Sequence, residues 1–397
     1  MNYSKLSNAI KDEQLPSMLV DIDQFDENLE TIINIAKKHD KKLRPATKSL
    51  RVPYLINRIK KIGGDTISGF MCYSCDEASF LSSMGIDNLL IAYPTLQKSE
   101  LDTISKLISE GKQIYLMIDS KVHIDLISSI IKDQKVSVCI DVDMSYRPLG
   151  NLIHLGVQRS PIRDMKSLEE LVEYIQTKKN IKIKGIMGYE AQVAGLADNN
   201  KYLSFLNPIK YFIRKQSVKY VKKFREIIAN YIAEQNIHLD FFNGGGTGSL
   251  LYTSQEKAIT EITAGSGFLH SKLFDYYSDA ITKSAFTYAL PISRYPQENI
   301  ITCKSGGFMA SGEVSQDKAP VPFLPKNMKL IATEGCGEVQ TPLKLPSNIK
   351  LNFDSPIFFR PAKSGEIAEH FNEYLILKNN LITKKVQTYR GLNKVFY

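Results

Sequence analysis

Tryptophan is absent from this sequence, and only six histidines and five cysteines occur in 397 residues. An odd number of cysteines in so long a chain argues against a disulfide framework. No uninterrupted apolar run approaches the length that a membrane-spanning helix requires. The first residues, MNYSKLSNAIKDEQLPS, lack the apolar core of a secretory signal peptide. These absences predict a cytoplasmic protein with no membrane partner.

The chain carries a net charge of +9, and its most basic segment is KYLSFLNPIKYFIRKQSVKYVKKFR, from Lys201 to Arg225. Lysines with interleaved aromatics occur on some RNA-binding surfaces, but no recognised nucleic-acid-binding motif accompanies them here. Helical spacing of the apolar residues instead predicts a helix that packs on a sheet and keeps its lysines in water. We therefore expect no nucleic-acid partner. The residues predicted to face the sheet are Phe212, Ile213, Val221, Phe224, Ile227 and Ile228.

Short apolar strands alternate with helical stretches from Leu43 to about Gly267. Segments between the strands, such as DMKSLEELVEYIQTK (Asp164–Lys178), have helical periodicity. Eight strands in β/α alternation over this length predict a TIM barrel, although an open doubly wound sheet would show the same alternation. The predicted strands are LRPATK (Leu43–Lys48), TISGF (Thr66–Phe70), NLLIAYP (Asn88–Pro94), QIYLMID (Gln113–Asp119), VSVCIDVD (Val136–Asp143), IKIKGIMGY (Ile181–Tyr189), HLDFFNGG (His238–Gly245) and TEITAGSG (Thr260–Gly267).

Beyond about His270 the sequence becomes rich in β-formers, proline and glycine, in segments such as SAFTYALPISRYP and SPIFFRPAKSG. This composition predicts a mostly β domain that continues to Tyr397. The early segment SMLVDID (Ser17–Asp23) is a ninth strand candidate and could belong to the same domain.

Two glycine-bearing segments follow the last two predicted barrel strands: GGGTG after the seventh strand and AGSG after the eighth. Adjacent glycines allow backbone amides to converge on an anion, and these two loops are where TIM barrels commonly bind phosphate. A Walker loop is excluded because no Lys-Ser/Thr pair follows the glycines. The pattern therefore predicts a phosphate site at the carboxyl end of the barrel.

The segment LRPATKSLR ends the first barrel strand with Lys48, which places a lysine at the same rim of the barrel. A lysine amine in that position could condense with a carbonyl group. Pyridoxal phosphate contains both an aldehyde and a phosphate, so one cofactor would account for both features. A surface lysine and a sugar-phosphate enzyme of the ordinary barrel type are the alternatives.

Several longer motifs occur in order with fitting spacing: RPATKS, CDEASFLSSMGIDNLLIAYP, GIMGYEAQVAG, NGGGTGS, ITEITAGSGFLHSKLFDYY, GEVQTPL and FFRPAKSGE. Together they resemble the D-threonine aldolase/D-serine dehydratase family, and within it the bacterial amino-acid deaminase/aldolase branch. The resemblance spans almost the whole chain. It implies a barrel of the alanine-racemase type over residues 24–270, and a mostly β domain formed by residues 1–23 and 271–397. It also implies a homodimer with active sites near the interface.

The resemblance assigns roles to individual residues. Lys48 is expected to hold pyridoxal 5'-phosphate, although Ala46 and Thr47 stand where the family has His-Ala. HLGVQRSP is similar to the segment whose arginine contacts the cofactor's phenolic oxygen, which selects Arg159. Other cofactor-binding residues implied are Tyr189 and Gln192 beside the ring, and Gly245, Gly246, Thr247, Ser266 and Gly267 at the phosphate.

A metal site is not expected, because the family's metal-binding histidine and its partner align with Pro361 and Lys363 in this sequence. Neither proline nor a lysine ammonium is a plausible divalent ligand. His370 is a nearby alternative, but it stands alone beside Asn372. We therefore expect the Lys363 ammonium to act as a second catalytic group that polarises the substrate hydroxyl.

The family resemblance implies a pyridoxal-phosphate-dependent lyase that cleaves or deaminates small β-hydroxy D-amino acids such as D-threonine or D-serine. An amino-acid racemase of the same fold is the first alternative, with Tyr276 or Tyr277 as its second base. A non-catalytic pyridoxal-phosphate carrier is less consistent with the chain, because such proteins resemble a bare barrel.

Overall fold

A computed structural model describes residues 2–148, 150, 152–313 and 315–396. Eight parallel strands, β2 to β9, form one sheet in the order β2-β9-β8-β7-β6-β5-β4-β3. Parallel bridges from Leu43 to Ile67 and from Ala46 to Met71 join its first and last strands, so the sheet closes into the predicted barrel. In chain order the elements to this point are α1 (Tyr3–Ala9), β1 (Ser17–Asp21), α2 (Ile22–Lys38), β2 (Lys42–Pro45), α3 (Pro53–Gly63), β3 (Phe70–Cys72), α4 (Cys75–Ser83), β4 (Leu89–Ile91), α5 (Lys98–Ser109), β5 (Ile114–Ile118), α6 (Lys121–Ile130), β6 (Val136–Asp141), α7 (Met165–Gln176), β7 (Ile181–Met187), α8 (Ala191–Ala194), α9 (Asn207–Glu234), β8 (Phe241–Gly244), α10 (Leu250–Thr253) and β9 (Glu261–Ala264).

The remaining chain forms a second, mostly β region, which confirms the other half of the predicted fold class. Its two sheets have the orders β13-β16-β10-β1-β17-β18 and β11-β12-β15-β14. The early strand β1 therefore belongs to this region, where it pairs antiparallel with β10 and parallel with β17. The domain limits at residues 23/24 and 270/271 stay a prediction. The strands are β10 (Phe286–Leu290), β11 (Ile292–Gln297), β12 (Ile300–Lys304), β13 (Val321–Leu324), β14 (Lys329–Leu330), β15 (Gln340–Lys344), β16 (Ile357–Arg360), β17 (Glu373–Lys378) and β18 (Leu381–Gln387).

The barrel is filled by side chains and is not a pore. Alternate strand residues point inward, because successive side chains of a strand face opposite sides. At the amino end of the strands, Arg44 is buried inside the barrel, and its Nε donates to Glu261 Oε1 at 2.7 Å. The apolar interior layer consists of Leu90, Tyr115, Met117, Cys139, Met187 and Phe241.

Helix α9 corrects the prediction of which side chains face the barrel. Val221, Phe224 and Ile228 are buried as predicted, but Phe212 and Ile227 are exposed. Their expected places are taken by Arg214 and Arg225, which are buried and paired with acidic residues. Periodicity of apolar residues could not reveal this, because a buried arginine depends on carboxylates that are distant in sequence. Of the helices within the described ranges, none combines the length and the apolar character needed to cross a bilayer.

Candidate active site

A cavity of about 510 Å³ opens at the carboxyl ends of the barrel strands. In a TIM barrel this end carries the ligand site, because the loops that follow the strands meet there. Every barrel strand contributes at least one residue from its end or from the turn that follows it. Representative wall residues, in strand order, are Lys48, Met71, Tyr93, Asp119, Asp141, Tyr189, Gly245 and Ser266.

Lys48 lies in a short turn directly after β2. Its Nζ is 2.6 Å from the hydroxyl of Tyr93, which follows β4 and lines the same cavity. The backbone of this turn is held by a residue close in the chain and by the β region. Arg51 Nε donates to the Lys48 carbonyl at 3.2 Å, and Gly365 of the β region packs so closely on that carbonyl that an added Cβ would collide with it. The lysine amine is therefore free to extend into the cavity from a fixed backbone.

The two glycine-bearing loops meet on one side of the cavity, next to the Lys48 strand. Gly245, Gly246 and Thr247 follow β8, and Ser266 follows β9, which pairs with β2. Gly267 lies behind this wall and ties the loops together, because its amide donates to Thr247 Oγ1 at 2.9 Å. Lys48 thus adjoins the predicted phosphate loops.

Both loops have the form that an anion needs for close approach. Gly245 has φ +90°, a conformation that favours glycine. An added Cβ at Gly246 would lie 3.0 Å from Ala194 Cβ and 3.2 Å from the Tyr189 ring. Within the described chain, the amides of Thr247 and Ser266 donate to no protein acceptor, although both residues line the cavity. This arrangement of glycines and free amides fits a phosphate group.

Arg159 and Tyr189 lie together on the cavity wall, with the guanidinium carbon 6.0 Å from the ring centre. Burial raises the pKa of Tyr189 to about 12, the charge of Glu190 adds to this, and Arg159 opposes it. Gln192 lies outside the lining, because its amide donates to the Met144 carbonyl at 2.6 Å. The pair formed by Arg159 and Tyr189 is thus available to a ligand, whereas the Gln192 amide is directed away.

Three carboxylates on the cavity wall were not singled out from the sequence: Asp119, Asp141 and Asp143. Asp143 is compensated by Arg147 at 2.7 Å. Burial, followed by the charge of Asp119, raises the pKa of Asp141 to about 7, and Arg159 opposes that rise. All three stand at the ends of the predicted strands QIYLMID and VSVCIDVD, so their position in the sequence was the signal that could have identified them.

Lys363 approaches the site from the β region. Its Nζ donates to the Ser311 carbonyl at 2.7 Å and to the Ser311 hydroxyl at 3.1 Å. Burial lowers the pKa of the Lys363 amine; Glu366 opposes this, and the charges of Lys318 and Lys48 add to it. Lys363 and Lys48 therefore repel each other electrostatically, although Lys363 itself does not line the cavity.

The positions that carry metal ligands in the resembled family hold other chemistry here. The Pro361 carbonyl accepts from the Lys272 amide at 3.0 Å, and the His370 ring packs 5.0 Å from Phe308. In the described part of the chain, no group of three His, Cys, Asp or Glu side chains is arranged to hold a metal ion. Cys72 and Cys75 have the spacing of a C-x-x-C motif, and both are buried free thiols.

Comparison with known sequences identifies a family and several distant relatives. The profile of the family described as Alanine racemase, N-terminal domain, matches residues 20–268. A D-threonine aldolase of Arthrobacter sp is 23% identical over 256 residues, which cover 63% of this chain and 60% of that protein. A 3-hydroxy-D-aspartate aldolase of Paracoccus denitrificans is 20% identical over 253 residues, or 64% and 59% of the two chains. The matched region therefore spans about three-fifths of these relatives.

Comparison with solved structures extends the likeness of fold to nearly the whole chain. The D-threonine aldolase from Filomicrobium marinum has a TM-score of 0.78 at 17% identity, covering 96% of this chain and 97% of that one. The D-threo-3-hydroxyaspartate dehydratase from Delftia sp. HT23 has a TM-score of 0.74 at 14% identity, covering 96% and 98%. An alanine racemase of Clostridium difficile 630 has a TM-score of 0.64 at 12% identity, covering 94% and 99%.

Proposed function

Because the chain belongs to the family described as Alanine racemase, N-terminal domain, we propose that it is a pyridoxal 5'-phosphate-dependent lyase of small β-hydroxy D-amino acids. The observation that carries this proposal is the single cavity that contains both the Lys48 amine and two glycine-bearing loops with free amides. The alternative, a sugar-phosphate enzyme of the ordinary barrel type, would use the loops and leave Lys48 without pyridoxal 5'-phosphate.

The described residues fit the cofactor in chemistry and in position. The Lys48 amine would hold it covalently, and the Thr247 and Ser266 amides, with the close glycine backbone, would receive its phosphate. Arg159 and Tyr189 would flank its ring. When bound, this cofactor withdraws electrons from the substrate and weakens the bonds at Cα.

The chain's own polar groups must then handle protons at the substrate. The Lys48 amine, with the Tyr93 hydroxyl 2.6 Å away, can accept or return a proton near Cα. The Lys363 ammonium would polarise the β-hydroxyl from the β region. The same group can favour departure of that hydroxyl or loss of its proton, so both deamination and aldol cleavage remain within its chemistry.

Covalent attachment at Lys48 is the direct test of the proposal. We expect the purified protein mixed with pyridoxal 5'-phosphate and reduced with borohydride to carry a pyridoxyl group on the peptide that contains Lys48. Lys48→Ala should abolish both the label and turnover. Lys42→Ala, at the start of the same strand, should retain both, because Lys42 Nζ bonds the Asp65 carbonyl outside the cavity. Labelling elsewhere, or none, would contradict the proposal.

A substrate screen distinguishes the reactions. D- and L-threonine, serine and allo-threonine are compared by release of glycine, which reports aldol cleavage, against release of ammonia, which reports deamination. Inversion of either enantiomer of alanine would instead favour a racemase. The Tyr277 hydroxyl, one of the two racemase bases considered, already donates to the Ala194 carbonyl at 2.7 Å. A homodimer is part of the proposal, and light scattering in solution tests it.

A further inference from the structure

A buried carboxylate, Glu190, lies directly behind the first glycine loop. It follows Tyr189 at the end of β7 and is 2% exposed. Its Oε2 accepts from the Gly245 amide at 3.1 Å. Its Oε1 accepts from the hydroxyls of Ser249 and Thr253, each at 2.5 Å. One side chain therefore contacts the loop backbone, the end of the loop and the helix α10 that follows it.

Ser249 extends this contact to the next glycine. The Gly246 amide donates to Ser249 Oγ at 3.0 Å, and Ser249 Oγ donates in turn to Glu190. The first two amides of the loop are thus directed toward Glu190, one directly and one through a hydroxyl. The Thr247 amide, next along the chain, is the first without a protein acceptor in the described structure.

The charge of Glu190 is balanced from the opposite side. Arg225 of α9 is fully buried and contacts Glu190, Glu256 and the Gly188 carbonyl. Burial alone would raise the pKa of Glu190, but the Arg225 charge and the hydroxyls of Ser249 and Thr253 lower it. The carboxylate is therefore favoured in its ionised form, and its charge is offset in part by Arg225, which it shares with Glu256.

A carboxylate behind a loop built for an anion requires an explanation, since like charge opposes the ligand. An ionised carboxylate is, however, a strong acceptor that can fix one amide and two hydroxyls at once. When the Gly245 and Gly246 amides are directed toward Glu190, the chain turns at this point. The positive φ of Gly245 is part of that turn. Thr247, which follows this turn, lines the cavity.

We propose that Glu190 is the positioning residue of the phosphate loop, acting through Ser249 to decide which amides face the ligand. This inference rests on the proposed function, because it assumes that the ligand carries a phosphate. Glu190 touches no ligand itself. Its hydrogen bonds reach the phosphate loop, whereas the turn that carries Lys48 follows a different strand and is held by Arg51 and by Gly365 of the β region.

A purely structural role for the ion pair predicts a different result. If Glu190 only anchored α9 through Arg225, its loss would weaken every ligand equally. Glu256 offers the matched control, because it pairs with the same Arg225 at 2.7 Å and its side chain makes no hydrogen bond to the loop among the described residues. Glu256→Gln tests the ion pair alone, and Ser249→Ala tests the relay to Gly246 alone.

The measurement is the ratio of the dissociation constants of pyridoxal and pyridoxal 5'-phosphate, with inorganic phosphate as a competing probe. We expect the wild type to prefer the phosphorylated aldehyde. Glu190→Gln and Ser249→Ala should lower this preference about tenfold, the effect of about one hydrogen bond, and should weaken competition by inorganic phosphate. Glu256→Gln should keep the wild-type ratio. If Glu190→Gln does not fold, Ser249→Ala and Thr253→Val carry the test.

The outcomes separate this inference from the proposed function. An unchanged ratio in Ser249→Ala and Thr253→Val, with a wild type that prefers the phosphorylated aldehyde, overturns the inference and leaves the proposed function standing. Equal loss of affinity for both aldehydes also overturns it, in favour of the structural role. A wild type that binds both aldehydes equally contradicts the phosphate site itself, and the proposed function fails with it.

Discussion

Two lysine amines from distant parts of the chain influence each other at the candidate site. Lys48 comes from the barrel, and Lys363 comes from the β region and is held by Ser311. In the proposed function the Lys363 ammonium would polarise the substrate hydroxyl, and this role requires that its charge is fixed in place. The two contacts to Ser311 provide that fixation.

We expect Lys363→Met to lower kcat by roughly 10²–10⁴-fold, the usual contribution of a positioned proton donor or acceptor. Cofactor attachment at Lys48 should persist, because the turn that carries Lys48 is held by Arg51 and Gly365 and not by Lys363. Steady-state kinetics and borohydride labelling measure the two effects. Lys304→Met, at the end of β12, serves as the control. Wild-type activity that collapses in chelator and returns only with Mn²⁺, Mg²⁺ or Zn²⁺ would contradict this role.

Residue types at strand ends could be predicted from the sequence, but the direction of each side chain could not. Lys48, Arg159 and Tyr189 line the cavity, whereas Gln192 and Gly267 lie behind its wall. Side chains alternate between the two faces of a sheet only within the strand. Beyond its end, their direction depends on the hydrogen bonds of the turn. The roles of these residues stay predictions.

At the scale of elements, the barrel strands were predictable because each is a short apolar run bounded by polar residues. The strand predicted at TISGF is displaced along the chain. The observed strand, β3, begins at Phe70, where the predicted strand ends. Thr66 instead closes a helical turn, and Ile67 makes only an isolated bridge to Leu43. The start of β3 depends on pairing with a neighbouring strand. The local sequence pattern contains no information on that pairing.

Helix α7 shows the opposite case, in which local chemistry fixes the boundary. Asp164 caps the helix, accepting from the Ser167 amide at 2.8 Å, while the Ser167 hydroxyl lies 3.3 Å from the Asp164 amide. We expect Asp164→Ala to lower the free energy of unfolding by about 1 kcal/mol. The shift of the thermal midpoint measures it. Glu170→Ala, exposed on the same helix, should have a much smaller effect, and an equal loss in both variants would contradict the capping role.

At the scale of the whole molecule, a buried acid helps to attach the C-terminal segment to the barrel. Glu77 of α4 is fully buried, and its Oε1 accepts from the Tyr389 hydroxyl at 2.8 Å. Tyr389 also packs edge-on against Phe80, with ring centres 5.6 Å apart. Burial raises the pKa of Glu77 from 4.5 to about 7, against the hydrogen bonds that lower it.

Because of the raised pKa of Glu77, the stability of the contact between the C-terminal segment and the barrel depends on pH. The folded chain binds the Glu77 proton more tightly than the unfolded chain, so the contribution to stability is complete below pH 4.5 and is lost as pH rises through about 7. The loss amounts to about 3 kcal/mol. We expect Glu77→Gln to reduce the fall in thermal midpoint between pH 5 and pH 8. Glu110→Gln, exposed at the end of α5, is the control, and an unchanged pH slope in Glu77→Gln would contradict the assignment.

Strand β1 lies in the middle of its sheet, between β10 and β17, although it leaves the ribosome before the entire barrel. Its partner strands begin at Phe286 and Glu373. At a synthesis rate of roughly 5–20 residues per second, both partners are present only roughly 18–70 s after β1 is made. During synthesis its apolar segment, Met18 to Val20, has no sheet to join. The barrel can form in that interval, but the β region must assemble last, as a step that brings the two ends of the chain together.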